Sequence, residues 1–150
     1  MPQSIDQILL HLIYITKDRA PYLNKKIRGD VHAYLAATAR NVGCYCLRVG
    51  GVEDHVHIAV RLGRTIAVSQ LVLELKVQSS KWIKMQSPDT GNFSWQRGYA
   101  VFSVSPADQN ALIEYIDNQE KHHESKSFQD ELRAFFKKYN VTFDEKYVWD

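Results

Sequence analysis

His55-Val56-His57-Ile58-Ala59-Val60-Arg61-Leu62 is the stretch that decides the fold. Read as a strand, period two sends Val56, Ile58, Val60 and Leu62 to one face and His55, His57, Ala59 and Arg61 to the other. The branched apolar face must meet helices, so both imidazoles emerge together on the opposite face, about 6 to 7 Å apart along the strand. That spacing permits one shared metal ion or one anionic ligand. It also occurs by accident in ordinary strands, so the surrounding sequence has to decide.

Immediately upstream, Tyr45, Leu47 and Val49 alternate with Cys44, Cys46 and Arg48, and Gly50 to Asp54 reads as a turn. The two alternating runs predict an antiparallel hairpin. Gln7 to Thr16, dense in Ile and Leu, predicts a buried first strand. Between them, Ile27, Val31, Tyr34, Leu35 and Thr38 recur at helical spacing from Asn24 to Val42, and Gly43 follows where a helix ends. Val68, Val72, Leu75, Ser79 and Trp82 form the stripe of a second helix over about 67–85, and Tyr99 to Val104 supplies a fourth strand. The order βαββαβ predicts an α+β, ferredoxin-like (RRM-like) antiparallel sheet, with both helices on one face and the histidine face available.

Downstream, Ser105-Pro106 with Asp108 predicts a third helix to about His122, since Ser caps, Pro suits the first turn and an acid favours the positive dipole end. Ser127 with Asp130 opens a further helix to about Tyr139. Phe143, Tyr147 and Trp149 form an aromatic tail, and this last helix and tail read as packing. One domain over 1–150 is expected, with a core at about 7–104, a helix at about 106–122 and a C-terminal helix and tail at 127–150.

Composition narrows the class. In 150 residues, 45% are hydrophobic and 24% charged, which excludes disorder, collagen-like repeats and coiled coil. Nineteen basic against seventeen acidic side chains leave a formal charge of +2, so any basic surface is local. The longest apolar run falls far below the ~18 residues of a membrane span, and Met1 to Asp6 lacks a secretory signal, so a cytoplasmic protein without a membrane partner is expected. Cys44 and Cys46 read as reduced, packed thiols. Lys25, Lys26 and Arg28, then Arg61 and Arg64, then Lys76, Lys81 and Lys84 are candidate phosphate contacts or solvated faces. Trp95 and Tyr99 are candidates for base stacking or for the core. Glu53 and Asp54 could orient the imidazoles or merely shape the turn. His123 could lie near the site, or with His122 be a solvated helix end.

Tyr115 and Gln119 stand four residues apart and project from one helix face. If that helix crosses the sheet face, a phenol and an amide oxygen meet the two imidazoles. A phenol with an ordinary pKa near ~10 is a poor nucleophile at neutral pH. A divalent metal held by His55, His57 and Gln119 could polarise a phosphodiester for in-line attack by Tyr115. One ester would replace another, and the retained bond energy would allow rejoining without ATP.

The His55-Val56-His57 strand, the Tyr115-Ile116-Asp117-Asn118-Gln119 segment and the elements between them resemble the single-tyrosine HUH transposases of small hairpin-ended insertion sequences, the TnpA type, which include the REP-associated tyrosine transposases. The resemblance extends over nearly the whole chain, including Ser79-Ser80-Lys81-Trp82-Ile83 and Trp95-Gln96-Arg97-Gly98-Tyr99. It implies Tyr115 as the nucleophile that becomes joined to a DNA 5′ phosphate, and His55, His57 and Gln119 as ligands of Mg2+ or Mn2+. It further implies a homodimer acting on single-stranded DNA with hairpins. A host-adopted or inactive relative that only binds nucleic acid is the alternative. An RNA-recognition module fits poorly, because His55, His57 and Ala59 stand where such a sheet needs aromatic rings.

Overall fold

A computed structural model of the chain describes residues 2–146, 148 and 149; Tyr147 of the expected aromatic tail lies outside the described residues. The elements run β1 (Leu9–Ile15), α1 (Lys25–Asn41), β2 (Tyr45–Gly51), β3 (His55–Arg61), α2 (Val68–Lys84), β4 (Ala100–Val104), α3 (Gln109–Asp117), α4 (Gln119–His122) and α5 (Phe128–Lys138). The four strands form one antiparallel sheet in the order β2-β3-β1-β4. This is the expected βαββαβ arrangement.

On one face, Leu10, Leu12 and Tyr14 of β1 and Val56, Ile58 and Val60 of β3 pack against Val31, Leu35 and Ala39 of α1 and Leu71, Leu75 and Ile83 of α2. Asn24 starts α1 by accepting a hydrogen bond from the Lys26 N–H at 2.9 Å, an N-terminal cap that satisfies a donor the helix cannot. The cysteines are free thiols, Cys44 buried and Cys46 half-buried. Strict alternation in β2 fails at Leu47: the register shifts between Cys46 and Arg48, and the extra residue lets Leu47 pack toward α3.

The second face is not open. Leu112 and Ile116 of α3 cover Leu9 and Ala59, while Phe128, Leu132 and Phe136 of α5 cover Ile13 and Phe102. β1 is therefore buried on both sides, which is why it reads as a nearly unbroken apolar run. Gly50 permits the close seat of α3, since a Cβ there would lie 2.6 Å from both Ile116 Cγ2 and Ile116 O.

The single helix expected over 106–122 is instead divided. Pro106–Asp108 is a 3-10 turn, with Ser105 Oγ accepting from the Ala107 N–H, and α3 is broken from α4 at Asn118, where φ is −96° and ψ is 17°. Asparagine tolerates such a break because its side chain favours non-helical backbone. Among the described residues no helix is long and apolar enough to cross a membrane.

Candidate functional site

β3 delivers His55 and His57 to the face beneath α3, α4 and α5, and both are fully buried. α3 carries Tyr115 and α4 begins with Gln119, so the break at Asn118 does not separate them: His55 Nε2 is 3.2 Å from Gln119 Oε1, and the Tyr115 and His57 rings have centroids 5.7 Å apart. All four residues singled out in the sequence thus meet in one place, within a single chain.

At their centre stands a residue that sequence reasoning passed over. Glu131, on α5 and only 2% exposed, places Oε1 3.0 Å from His57 Nε2 and 3.6 Å from His55 Nε2. Its Oε2 accepts from Gln119 Nε2 at 3.1 Å and from the Tyr115 hydroxyl. His123 joins them, its Nε2 3.1 Å from Gln119 Oε1 and 3.3 Å from Glu131 Oε2, so it belongs to the site rather than to a solvated helix end. His122 Nε2 approaches Glu131 Oε2 at 3.3 Å without hydrogen-bond geometry. The signal for Glu131 was available: Phe128, Glu131, Leu132 and Phe135 follow the i, i+3, i+4, i+7 pattern of a buried helix face, and a carboxylate in that stripe requires partners.

Charge follows this geometry. Burial would raise the Glu131 pKa, but hydrogen bonds from His123, His57 and Tyr115 and the His57 charge hold it well below the carboxylate range. Burial and the Glu131 charge raise the Tyr115 phenol above its ordinary value. Burial lowers His57 to about 4 against the pull of Glu131. For His123 burial acts downward, but the Glu131 bond and charge outweigh it and raise the pKa. Asp54 Oδ1 holds His55 Nδ1 at 2.7 Å, and this bond outweighs burial and lowers the Asp54 pKa. Of the two turn acids, Asp54 therefore faces the imidazole, whereas Glu53 faces Arg28 at 3.8 Å.

The donor set suits a cation. With the Nδ1 proton of His55 given to Asp54, His55 Nε2 turns a lone pair toward the Gln119 Oε1 lone pairs, an arrangement that only a proton or a metal ion relieves. His55, His57, His123 and Glu131 each offer a ligand atom, and those atoms lie within 4.8 Å of one another. Imidazole nitrogens with one carboxylate form a recognised first-row divalent set, and Gln119 Oε1 borders it.

Residues 4–119 match the family model described as "Transposase IS200 like". The chain belongs to the IS200-like transposases. Two solved structures have similar folds. A transposase candidate from Deinococcus radiodurans R1 is 23% identical, with 79% of this chain and 98% of that one covered and a TM-score of 0.60. A REP-associated tyrosine transposase bound to a REP hairpin is 14% identical, with 82% and 72% covered and a TM-score of 0.61. At these identities the likeness establishes the fold. Among curated protein sequences none matches this chain.

The basic residues of this IS200-like transposase divide into two groups. Arg28 is buried, donating to Leu23 O at 2.9 Å and pairing with Glu120 at 2.7 Å. Lys76 Nζ donates to Gln96 O and Gly98 O, and burial lowers its pKa to about 8. Arg61 donates to Gln109 Oε1 at 2.9 Å. These three organise the protein itself. Lys25, Lys26, Arg64, Lys81 and Lys84 are exposed. Trp95 is a core residue whose indole N–H donates to Ser79 Oγ at 2.9 Å, while Tyr99 is exposed.

Proposed function

We propose that this transposase nicks and rejoins single-stranded DNA through a covalent 5′-phosphotyrosine on Tyr115. The observation that carries the reading is the convergence of the Tyr115 hydroxyl, His55, His57 and Gln119 around one buried acid-and-imidazole cluster. His55, His57 and Gln119 are the protein ligands for Mg2+ or Mn2+, with His123 and Glu131 completing the set. A divalent ion, when bound, supplies positive charge that polarises a phosphodiester and offsets the Glu131 charge.

The protein's own groups do the rest. α3 fixes the phenol in position, Asp54 keeps the Nδ1 proton on His55, and burial excludes water that would otherwise compete with tyrosine for phosphorus. In the exchange the tyrosine oxygen bonds to phosphorus, and the bond to the 3′ oxygen breaks with its electron pair left on that oxygen. The phenolic proton leaves the tyrosine oxygen as the new bond to phosphorus forms, and the departing 3′ oxygen ends with a proton as the free hydroxyl. The same exchange in reverse joins a strand to a new 3′ hydroxyl without ATP. Because His55, His57, Gln119 and Glu131 are each 2% exposed or less, the helices packed over this face must shift before a strand reaches the cluster.

The hairpin bound to the REP-associated relative supports hairpin-bearing single strands as the substrate class. The domain extends over 1–150, acts in the cytoplasm and works as a homodimer in which each Tyr115 serves the histidines of its own chain. The test is a denaturing gel with labelled, palindrome-bearing strands taken from DNA flanking the gene. Wild type with Mn2+ should form a covalent adduct that is absent in chelator and from Tyr115→Phe. An equal adduct from Tyr115→Phe defeats the assignment. Hairpin binding without an adduct favours the host-adopted, binding-only alternative.

A further inference from the structure

The two imidazoles of β3 are held from behind by different kinds of partner. His55 Nδ1 meets the Asp54 carboxylate, which can only accept. His57 Nδ1 meets His11 Nε2 at 2.7 Å, and His11 is 1% exposed. The sheet register builds this contact: His11 stands opposite Ala59 and Ile13 opposite His57, so His11 and His57 are diagonal neighbours on one face. The small Ala59 side chain leaves room for their rings, whose centroids are 5.0 Å apart.

Counting protons gives this contact a role. Without a metal, His57 Nε2 donates best to Glu131 Oε1 at 3.0 Å, so its Nδ1 carries a lone pair and His11 Nε2–H is the donor. To ligate an ion through Nε2, His57 must carry its proton on Nδ1, and the hydrogen bond to His11 must then run the other way. A neutral histidine can do both, because its own proton can move to Nδ1. His11 Nδ1 is buried and has no hydrogen-bond partner among the described residues, so neither tautomer breaks an existing bond. A carboxylate at position 11 would fix one direction and add a second buried negative charge beside Glu131.

We infer that His11 is a positioning residue for the metal site, a two-way hydrogen-bond partner that lets His57 present Nε2 as a lone pair when an ion binds. This rests on the metal-binding reading of the site. The partner on the far side of a ligating histidine sets its tautomer and ring orientation, and its loss costs about 10- to 100-fold in metal affinity.

The experiment is calorimetric titration of Mn2+ into the full chain as wild type, His11→Leu and His11→Gln, each first checked for a native circular dichroism spectrum. His11→Leu should bind Mn2+ about 10- to 100-fold more weakly, and His11→Gln, whose amide oxygen can accept from Nδ1–H, should recover most of that loss. A long-range 1H–15N spectrum of wild type with Mg2+ should place the His57 proton on Nδ1, a readout that stands even if His11→Leu fails to fold. Unchanged Mn2+ affinity in His11→Leu, or a His57 proton on Nε2 in the Mg2+ form, overturns the role of His11 alone. Wild type that takes up no Mn2+ overturns the metal reading and this inference with it.

Discussion

The Tyr115 hydroxyl donates its hydrogen bond to Glu131 Oε2, so the proposed nucleophile and the central carboxylate form one unit contributed by α3 and α5. Since the Glu131 charge helps raise the phenol's pKa, the metal-free site holds Tyr115 protonated. Glu131→Gln keeps the shape but removes the charge that His123, His57 and a metal ion would share. Mn2+ affinity should fall at least ~10-fold. The metal-free protein should lose about 1–3 kcal/mol in urea unfolding, because buried donors lose a charged acceptor. Calorimetry and denaturation curves on the two proteins check both values.

The donor set also predicts an order among metals. Mg2+ prefers oxygen ligands and keeps its waters, whereas Mn2+ accepts imidazole nitrogen more readily. With His55, His57 and His123 around one carboxylate, Mn2+ should bind more tightly than Mg2+, and competition between the two ions in a single titration measures the ratio. His57→Ala should weaken both ions, whereas replacing the exposed Lys84 should change neither.

Gly50 offers a test of position without touching any side chain of the site. In Gly50→Ala the new methyl meets Ile116 Cγ2 and the Ile116 carbonyl, each at 2.6 Å, and backbone cannot move aside as a flexible side chain can. α3 must lift from β2, and Tyr115, one residue before Ile116, moves with it. A misplacement of about 1 Å can cost ~10²-fold in rate. Adduct formation should therefore drop by that order while Mn2+ affinity falls by less, because His55 and His57 stay on β3 and only Gln119 and His123 follow α3. Gel kinetics and calorimetry on the same preparation separate the two effects.

Much of this site was legible because strand and helix periods fix direction. Alternation in β3 put His55 and His57 on one face, and a four-residue step put Tyr115 and Gln119 on one side of the chain that crosses it. Glu131 and His11 stayed hidden for a shared reason: each is a single polar residue inside an apolar pattern, read as packing in α5 and as a buried strand in β1. Their meaning depends on what lies opposite, which sheet register and helix docking determine and local periodicity does not. Arg28 shows the converse. Its place beside Lys25 and Lys26 suggested a phosphate contact, but burial turns it inward to Glu120 and Leu23.

Acid stability can be assigned to a histidine outside the cluster. His32 of α1 has a buried Nε2 with no hydrogen-bond partner among the described residues, and burial, then the neighbouring Arg28 charge, lowers its pKa to about 4. The unfolded chain, with an ordinary value near ~6.5, binds this proton more readily than the folded one. Between pH ~6.5 and ~4 the unfolded state holds more protons, so stability falls as pH drops through that window, by at most roughly 3 kcal/mol from this group. His32→Leu removes the proton site and should flatten the loss of stability between pH 6.5 and 4.5, measured as urea midpoints at each pH in metal-free buffer. Some slope should persist, because His57 is lowered to about 4 by its own burial. A slope unchanged by His32→Leu would place the whole acid sensitivity on the histidine cluster around Glu131.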